Sequence, residues 1–330
     1  MKLPVRIVLS LLCAAMVLAA PFVLSSPKLL EDAQWEIIDE IDSYESGLMS
    51  LLLPTARAEE EADVYALPID QSAGMAPKAD LFTENGYEDD SIRVQMETRE
   101  GGKKDLIWRI AWVEIASPTQ LRTAYFGKNV KANKQDKVTK LAPAKNAVVA
   151  MNGDNYAQES QKHSFIVRMG EVRQTKLNKT KDILIIDERG DFHIFLNSKD
   201  ADNFEKNTGH TIVNAFMFGP ALVMDGEVVT EKREYGFNPE GSQPRSAIGQ
   251  LDTLSYVLVI ADNASGSDTK GVNHKELAEF MKELGCREAY NLDGGNSAIM
   301  VFNNQRYNNT YGRERDLTDM IYFVSAVPEA

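Results

Sequence analysis

From about residue 107 onward, apolar side chains recur in short blocks with a period of two, as in strands that show alternate residues to opposite faces. Residues 107–115 and 121–126 alternate in this way, with β-branched and aromatic residues at the apolar positions. Residues 147–151 are instead an unbroken apolar run, the signature of a strand buried on both faces, and the run stops abruptly at Asn152-Gly153. Residues 182–186 and 192–196 flank Asp187-Glu188-Arg189-Gly190-Asp191, which predicts a hairpin. A second hairpin is predicted where 221–223 and 228–229 flank Met224-Asp225-Gly226-Glu227. Further strands are expected over 254–261, 298–302 and 320–324. One helix is well specified: Asn273 caps it with Glu276 three residues on, Leu277, Phe280, Met281 and Leu284 form its stripe, and Gly285 ends it. Strands outnumber helices, so residues 92–330 are expected to form one β-rich α+β domain with a few packed helices.

The region before it reads differently. Lys2 and Arg6 precede an uncharged apolar run over 7–24, which marks 1–27 as a signal peptide or membrane anchor and predicts an exported protein, extracellular or anchored facing outward. The membrane is expected as a partner only through that segment. Residues 28–46 have helical apolar spacing among acids, and 54–90 lack a steady period. Together 28–91 read as an acidic helix and linker.

Charge sharpens this division. The chain has 330 residues, 36 Lys+Arg, 49 Asp+Glu and a net charge of −13. Almost all the excess acid lies in 28–91, where 17 acids face Lys28, Arg57 and Lys78. The β-rich part is near neutral, so it does not repel an anionic substrate, and no basic surface argues for nucleic acid. Of two cysteines, Cys13 lies in the apolar leader, which leaves Cys286 as a small buried thiol between helix and strand. There is no Walker loop and no G-x-S-x-G elbow. His163, His193, His210 and His274 lack the spacing of a zinc site, and His193 and His274 read as structural.

The chemistry-bearing residues sit where strands end in Gly-, Asn- and Asp-rich corners. Asn152-Gly153-Asp154-Asn155-Tyr156 offers an amide, a carboxylate and backbone that a ligand can approach, though Asn-Gly-Asp is also an ordinary turn. Asn291-Leu292-Asp293-Gly294-Gly295-Asn296-Ser297 places another carboxylate beside two glycines, or alternatively makes a hairpin turn. Pro244-Arg245-Ser246 presents a guanidinium suited to phosphate or carboxylate, Gly219-Pro220 makes a tight strand entry, and Asp262 opens a polar loop.

In this order the corners resemble those of the phosphodiester glycosidase family. The matching stretches are VVAMNGDNY (148–156), FGPALVMDGEVV (218–229), PRSAIG (244–249), residues 259–262, LAEFMKELGCREAYNLDGGNSAIMV (277–301) and residues 315–323. The resemblance covers most of 100–326, and the family's β-rich α+β fold agrees with the strand pattern. Two departures bear on substrate identity. Asn296 stands where the family often has a third glycine, and Asp262-Asn263-Ala264 stands where it often has Asp-Gly-Arg.

The resemblance implies a hydrolase that cleaves a sugar-1-phosphodiester, such as an N-acetylglucosamine-1-phosphodiester, on a glycan or cell-envelope polymer. It assigns Asp293 as nucleophile or base, Asp154 as the second carboxylate, and Arg245 to the phosphate. Asn152, Gly153, Tyr156, Gly219, Asp262, Gly294, Gly295 and Ser297 are the expected substrate contacts. No cofactor is expected. An alternative stays open in which Asp154, Asp262 and Asp293 hold a hard divalent cation. The competing class is a non-catalytic envelope module that binds glycan or exopolysaccharide with the same corners.

Overall fold

Strands buried on both faces organise the molecule, and β15 (Ser255–Asn263) shows why its sequence is a continuous apolar run. Tyr256, Leu258 and Ile260 point into one core, while Val257, Val259 and Ala261 point into another. A strand between two cores has no solvent face, so its residues cannot alternate between apolar and polar. The structure, a computed structural model, describes residues 69–102, 105–157, 164–229, 240–263, 271–309 and 313–327. The chain divides into two compact units, Met1–Tyr65 and Ala66–Ala330, and all described residues belong to the second. The leader over 1–27, the acidic helix over 28–46 and the linker as far as 68 lie outside the described residues.

Among the described residues the strands form three antiparallel sheets. The largest contains β1 (Phe82–Thr83), β2 (Gly86–Glu88), β3 (Ile92–Glu100), β4 (Leu106–Ile115), β15, β14 (Arg245–Asp252), β16 (Glu288–Leu292), β12 (Ala221–Met224) and β13 (Glu227–Val228), in that spatial order. The second runs β10 (Phe192–Phe195), β9 (Ile183–Asp187), β11 (Ile212–Phe216), β7 (Phe165–Arg168) and β8 (Glu171–Thr175). The third runs β18 (Gln305–Arg306), β17 (Met300–Phe302), β6 (Ala147–Asn152), β19 (Asp319–Val324) and β5 (Leu121–Tyr125).

All three sheets contribute to the central core, through residues such as Val113, Ile248 and Leu292, Leu184 and Phe216, and Met151 and Phe323. The outer face of the large sheet is covered by the helix His274–Glu283, whose Leu277, Phe280 and Met281 pack on Val257 and Val259. Its start is a full capping box: Asn273 Oδ1 accepts from Glu276 N at 2.8 Å, and Asn273 N donates to Glu276 Oε2 at 2.9 Å. Cys286 is buried behind this helix, and burial pushes its thiol up to about 12, so it stays protonated at neutral pH. The third sheet is covered by the helix Val138–Ala144.

The β-rich α+β expectation therefore holds. The expected linker, however, ends earlier than residue 90. The short strands β1 and β2 extend the large sheet beyond β3, and Tyr87 is buried with its hydroxyl donating to Asp89 at 2.8 Å. Strands of two and three residues are too short to display a period, which is why composition alone read them as linker.

Candidate functional site

The Gly- and Asp-rich corners are crossings between sheets. Asp293-Gly294-Gly295 joins β16 in the large sheet to β17 in the third, so it is no hairpin, and Gly295–Ser297 forms a single 3-10 turn. Asn152-Gly153-Asp154 likewise carries the chain from β6 in the third sheet towards β7 in the second. Each crossing ends a ladder of backbone hydrogen bonds, so the polar groups there take side-chain partners. Asn152 Nδ2 donates to the carbonyl of Asp293 at 2.7 Å, Ser246 Oγ donates to the same oxygen at 2.6 Å, and Asn152 Oδ1 accepts from Ile299 N at 3.1 Å. Fully buried, Asn152 is a cross-link that fixes Asp293 rather than a contact for substrate.

Asp293 faces a cleft of about 250 Å³, lined also by Phe218, Gln243, Arg245, Gly294, Gly295, Asn296 and Arg315. Burial raises its pKa to about 6, against the lowering effect of hydrogen bonds from Ser297 and Asn155 and of the Arg315 charge. Asn155 Nδ2 lies 3.3 Å from Asp293 Oδ2. Gly294 has no room for a side chain: a Cβ there would sit 2.6 Å from the Pro244 carbonyl. Gly295 adopts a positive φ of 59° and donates its N–H to that carbonyl at 2.7 Å. Its N–H is thereby taken, so Gly295 shapes the cleft wall instead of donating to phosphate.

Arg245 reaches the cleft but is held from behind. Its Nε donates to Val272 O at 3.2 Å, Nη2 to Gly241 O at 2.9 Å, and Nη1 to His274 Nε2 at 2.7 Å. Because an arginine only donates, His274 Nε2 must accept, which leaves the ring proton on Nδ1. Burial and then the Arg245 charge push His274 down to about 3, so the imidazole stays neutral. Burial also lowers Arg245, to about 10, which still leaves it cationic at neutral pH. The exposed cation of the cleft is Arg315, whose Nη1 lies 3.4 Å from Ser297 Oγ. Arg315 and Asn296 also line a more open basin of about 450 Å³ with Lys137, Arg313, Glu314 and Asp316.

The structure separates the two carboxylates that sequence reasoning paired as catalytic. Asp154 does not line the cleft; it is fully buried, with Oδ1 2.5 Å from Arg168 Nη2. Arg168, itself completely buried, also holds Asp319 Oδ2 through Nε at 2.9 Å and Nη2 at 2.8 Å. Its Nη1 donates to the carbonyls of Val167 and Ala215, and its plane lies 4.0 Å from the Phe216 ring centroid. Burial raises the pKa of Asp154, with the Arg168 charge opposing. Gly153 serves this same knot. Its N–H donates to Asp319 O at 3.1 Å, and a Cβ there would strike the Asp319 carboxylate at 2.2 Å. The close approach that glycine permits is to Asp319, not to a ligand.

Of the remaining expected contacts, Gly219, Tyr156 and Asp262 do not line the cleft. Gly219 turns at φ 74° and accepts from Asn291 Nδ2 at 2.7 Å, which orients Phe218 into the wall. Tyr156 is buried, with the guanidinium of Arg173 4.8 Å and that of Arg168 5.5 Å from its ring centroid. Asp262 Oδ2 accepts from Asn309 N at 2.7 Å and sits 3.6 Å from Arg109 Nε. Asp154, Asp262 and Asp293 do not bring their oxygens within 4.8 Å of one another as a trio, and two of the three are committed to arginines. They do not fit a shared cation. Sequence reasoning missed Arg168, Asp319, Asn155 and Arg315. Of these, Arg168 alone lies outside the matching stretches; Asn155 lies in the first of them, and Arg315 and Asp319 lie in the last.

Comparisons with known proteins agree with this architecture. The catalytic domain of zebrafish N-acetylglucosamine-1-phosphodiester alpha-N-acetylglucosaminidase, auto-inhibited by its pro-peptide, superposes with a TM-score of 0.54 at 17% identity. The match covers 80% of this chain and 99% of that one. A hypothetical protein from Synechocystis matches at TM-score 0.52 and 14% identity, over 71% of this chain and 62% of its own. In sequence, the SPbeta prophage-derived uncharacterized protein YomE of Bacillus subtilis (strain 168) is 23% identical over 225 residues, 66% of this chain. The match spans 34% of that relative's length. The family model for phosphodiester glycosidase matches residues 145–324, more than half of the chain, a span that includes every corner described above together with Arg168 and Asp319. The chain belongs to the phosphodiester glycosidase family.

Proposed function

We propose that this chain hydrolyses sugar-1-phosphodiesters, with Asp293 as the reacting carboxylate. The observation that carries the reading is one cleft holding a buried carboxylate raised to about 6 beside the guanidinium groups of Arg245 and Arg315. A phosphodiester presents one anion next to an anomeric carbon, and the cleft presents cations next to a carboxylate. Above pH 6 Asp293 is ionised, and it acts as nucleophile at the anomeric carbon or as base towards water. The C1–O bond breaks, the bridging oxygen leaves with the phosphate, and water supplies the new hydroxyl on the sugar. A phosphate monoester leaves readily, so the reaction needs less help from a general acid than an ordinary glycoside does. That suits a cleft whose second acid, Asp154, is sealed away behind Arg168.

Arg315 takes the phosphate, and Arg245, rigidly held, sets the charge of the inner wall. The outer basin with Lys137 and Arg313 accommodates the group beyond the phosphate, which fits a glycan or cell-envelope polymer. Export of the protein, proposed from residues 1–27, is tested by fractionating cells and sequencing the mature amino terminus; full-length chain in the cytosol would overturn it.

The test of the reaction is incubation of the full chain with N-acetylglucosamine-1-phosphodiesters in ¹⁸O-water, with both products followed by mass spectrometry. The expected result is labelled free sugar and unlabelled phosphomonoester. Label in the phosphate would move the cleavage to the P–O bond. Saturable binding without products would favour the glycan-binding alternative and sink the hydrolase reading.

A further inference from the structure

Away from the cleft, three side chains that sequence spacing left unrelated meet at the tip of the β9–β10 hairpin. We propose that Asp187, Glu188 and His210 form a binding site for one divalent transition-metal ion of the zinc class, with His193 positioning Asp187. The inference is independent of the proposed hydrolysis. The register that places Ile212 opposite Asp187 brings the segment entering β11 against the end of β9. One donor atom from each of Asp187, Glu188 and His210 then lies within 4.8 Å of the other two.

The carboxylates are arranged as single-oxygen ligands. Asp187 Oδ1 accepts the backbone N–H of Arg189 at 2.9 Å and of Asp191 at 3.0 Å, and Glu188 Oε2 accepts that of Thr211 at 2.6 Å. The other oxygen of each acid is turned towards imidazole. His210 Nδ1 lies 3.0 Å from Glu188 Oε1 and 3.8 Å from Asp187 Oδ2, and His193 Nε2 lies 2.8 Å from that same Asp187 oxygen. A tetrahedral ion with bonds of ~2.0–2.2 Å needs donors about 3.3–3.6 Å apart. The two distances to His210 Nδ1 bracket that edge, and the third, between the carboxylate oxygens, lies within 4.8 Å.

Charge and access point the same way. Among the described residues, the cations paired with these two acids are the two imidazoles, which leaves net negative charge when the rings are neutral. Asp187 is buried, whereas both histidines are part-exposed, so an ion can enter from solvent. Imidazole with two carboxylates suits zinc-class ions better than magnesium or calcium, which take oxygen donors. His193 Nε2 donates to Asp187, the second-layer contact that typically fixes a metal-binding acid. A bound ion would tie the hairpin tip to the start of β11. That tip already reaches the large sheet, because Tyr256 Oη donates to Gly190 O at 2.8 Å and Gln250 Nε2 to Asp191 Oδ1 at 2.9 Å.

The test uses the untagged full chain, stripped by chelator and then titrated with Zn²⁺ alone against a chromophoric competitor, with Mg²⁺ as control. One equivalent of Zn²⁺ should bind at micromolar affinity or tighter, Tm should rise with free Zn²⁺, and Mg²⁺ should do neither. His210→Ala and Glu188→Gln should each weaken binding at least a hundredfold, and His193→Ala by about 10–100-fold. Glu188→Gln keeps an oxygen for the Thr211 N–H, so it guards against a folding defect in His210→Ala. Failure to bind one equivalent, or equal affinity in the wild type and both ligand variants, would overturn the proposal.

Discussion

Two carboxylate–arginine groups lie at the same junction of sheets, and their surroundings give them opposite roles. Around Arg168 every guanidinium nitrogen has an acceptor: two carboxylates, two carbonyls and an aromatic face enclose it without solvent. Around Asp293 the carboxylate faces a cleft, and its cation, Arg315, is exposed. A closed set of partners holds strands together, and the arginine it encloses has no nitrogen left for substrate. An open one sacrifices pairing energy and keeps a group available to react. Asn155 connects the two, because its N–H donates to Asp319 Oδ1 at 2.9 Å while its side-chain amide reaches Asp293. The sealed knot thereby positions Asp293.

The comparison breaks first at Arg168. Arg168→Leu leaves Asp154 and Asp319 buried without their shared cation, and losing one partner of such a group costs about 3–5 kcal/mol. Urea denaturation should show that loss; a change below about 1 kcal/mol would mean that the knot does not hold the fold. Asp293→Asn should do the reverse. Turnover of the phosphodiester should fall about a thousandfold, ~4 kcal/mol in barrier, with the midpoint of denaturation little changed. Comparable turnover in the variant would remove Asp293 from the reaction.

The same contrast explains what could be read from the chain. The run at 254–261 and the capped helix announced themselves because their patterns are local, set by period and by residues three or four apart. Asp293 was legible for a similar reason: a carboxylate at a strand end before two glycines is a local signal. Arg168 was not, because Phe165-Ile166-Val167-Arg168 reads as an ordinary strand with a charge at its end. Its partners lie 14 and 151 residues away and meet it only through the packing of three sheets. Gly153 was seen but misread, since sequence tells that something approaches a glycine and not what. His210 and Asp187 carry the same lesson, being neighbours by sheet register alone.

A smaller effect is expected at the open cation. Arg315→Ala should lower kcat/KM by about 10–100-fold, since a hydrogen bond to a charged group is worth ~1.5–3 kcal/mol. Loss concentrated in KM would make Arg315 a phosphate holder, and loss in kcat would place it at the developing charge. Wild-type stability in this variant would mark the difference from Arg168.

The finest distinction is in pH dependence. Asp293 must be ionised to act as nucleophile or base, so kcat/KM of the wild type should fall as pH drops through about 6. The Ser297 hydrogen bond stabilises the ionised form and lowers that pKa. Ser297→Ala removes it, so the carboxyl should hold its proton to higher pH and the acidic limb should move upward by several tenths of a unit. The plateau above the limb should change little, because Ser297 acts through Asp293. Activity that instead falls as pH rises through about 6, with that limb moving upward in Ser297→Ala, would mean that Asp293 works as the protonated acid. In that case both groups would hold a carboxyl whose pKa burial has raised, and the division of roles between them would rest on access alone.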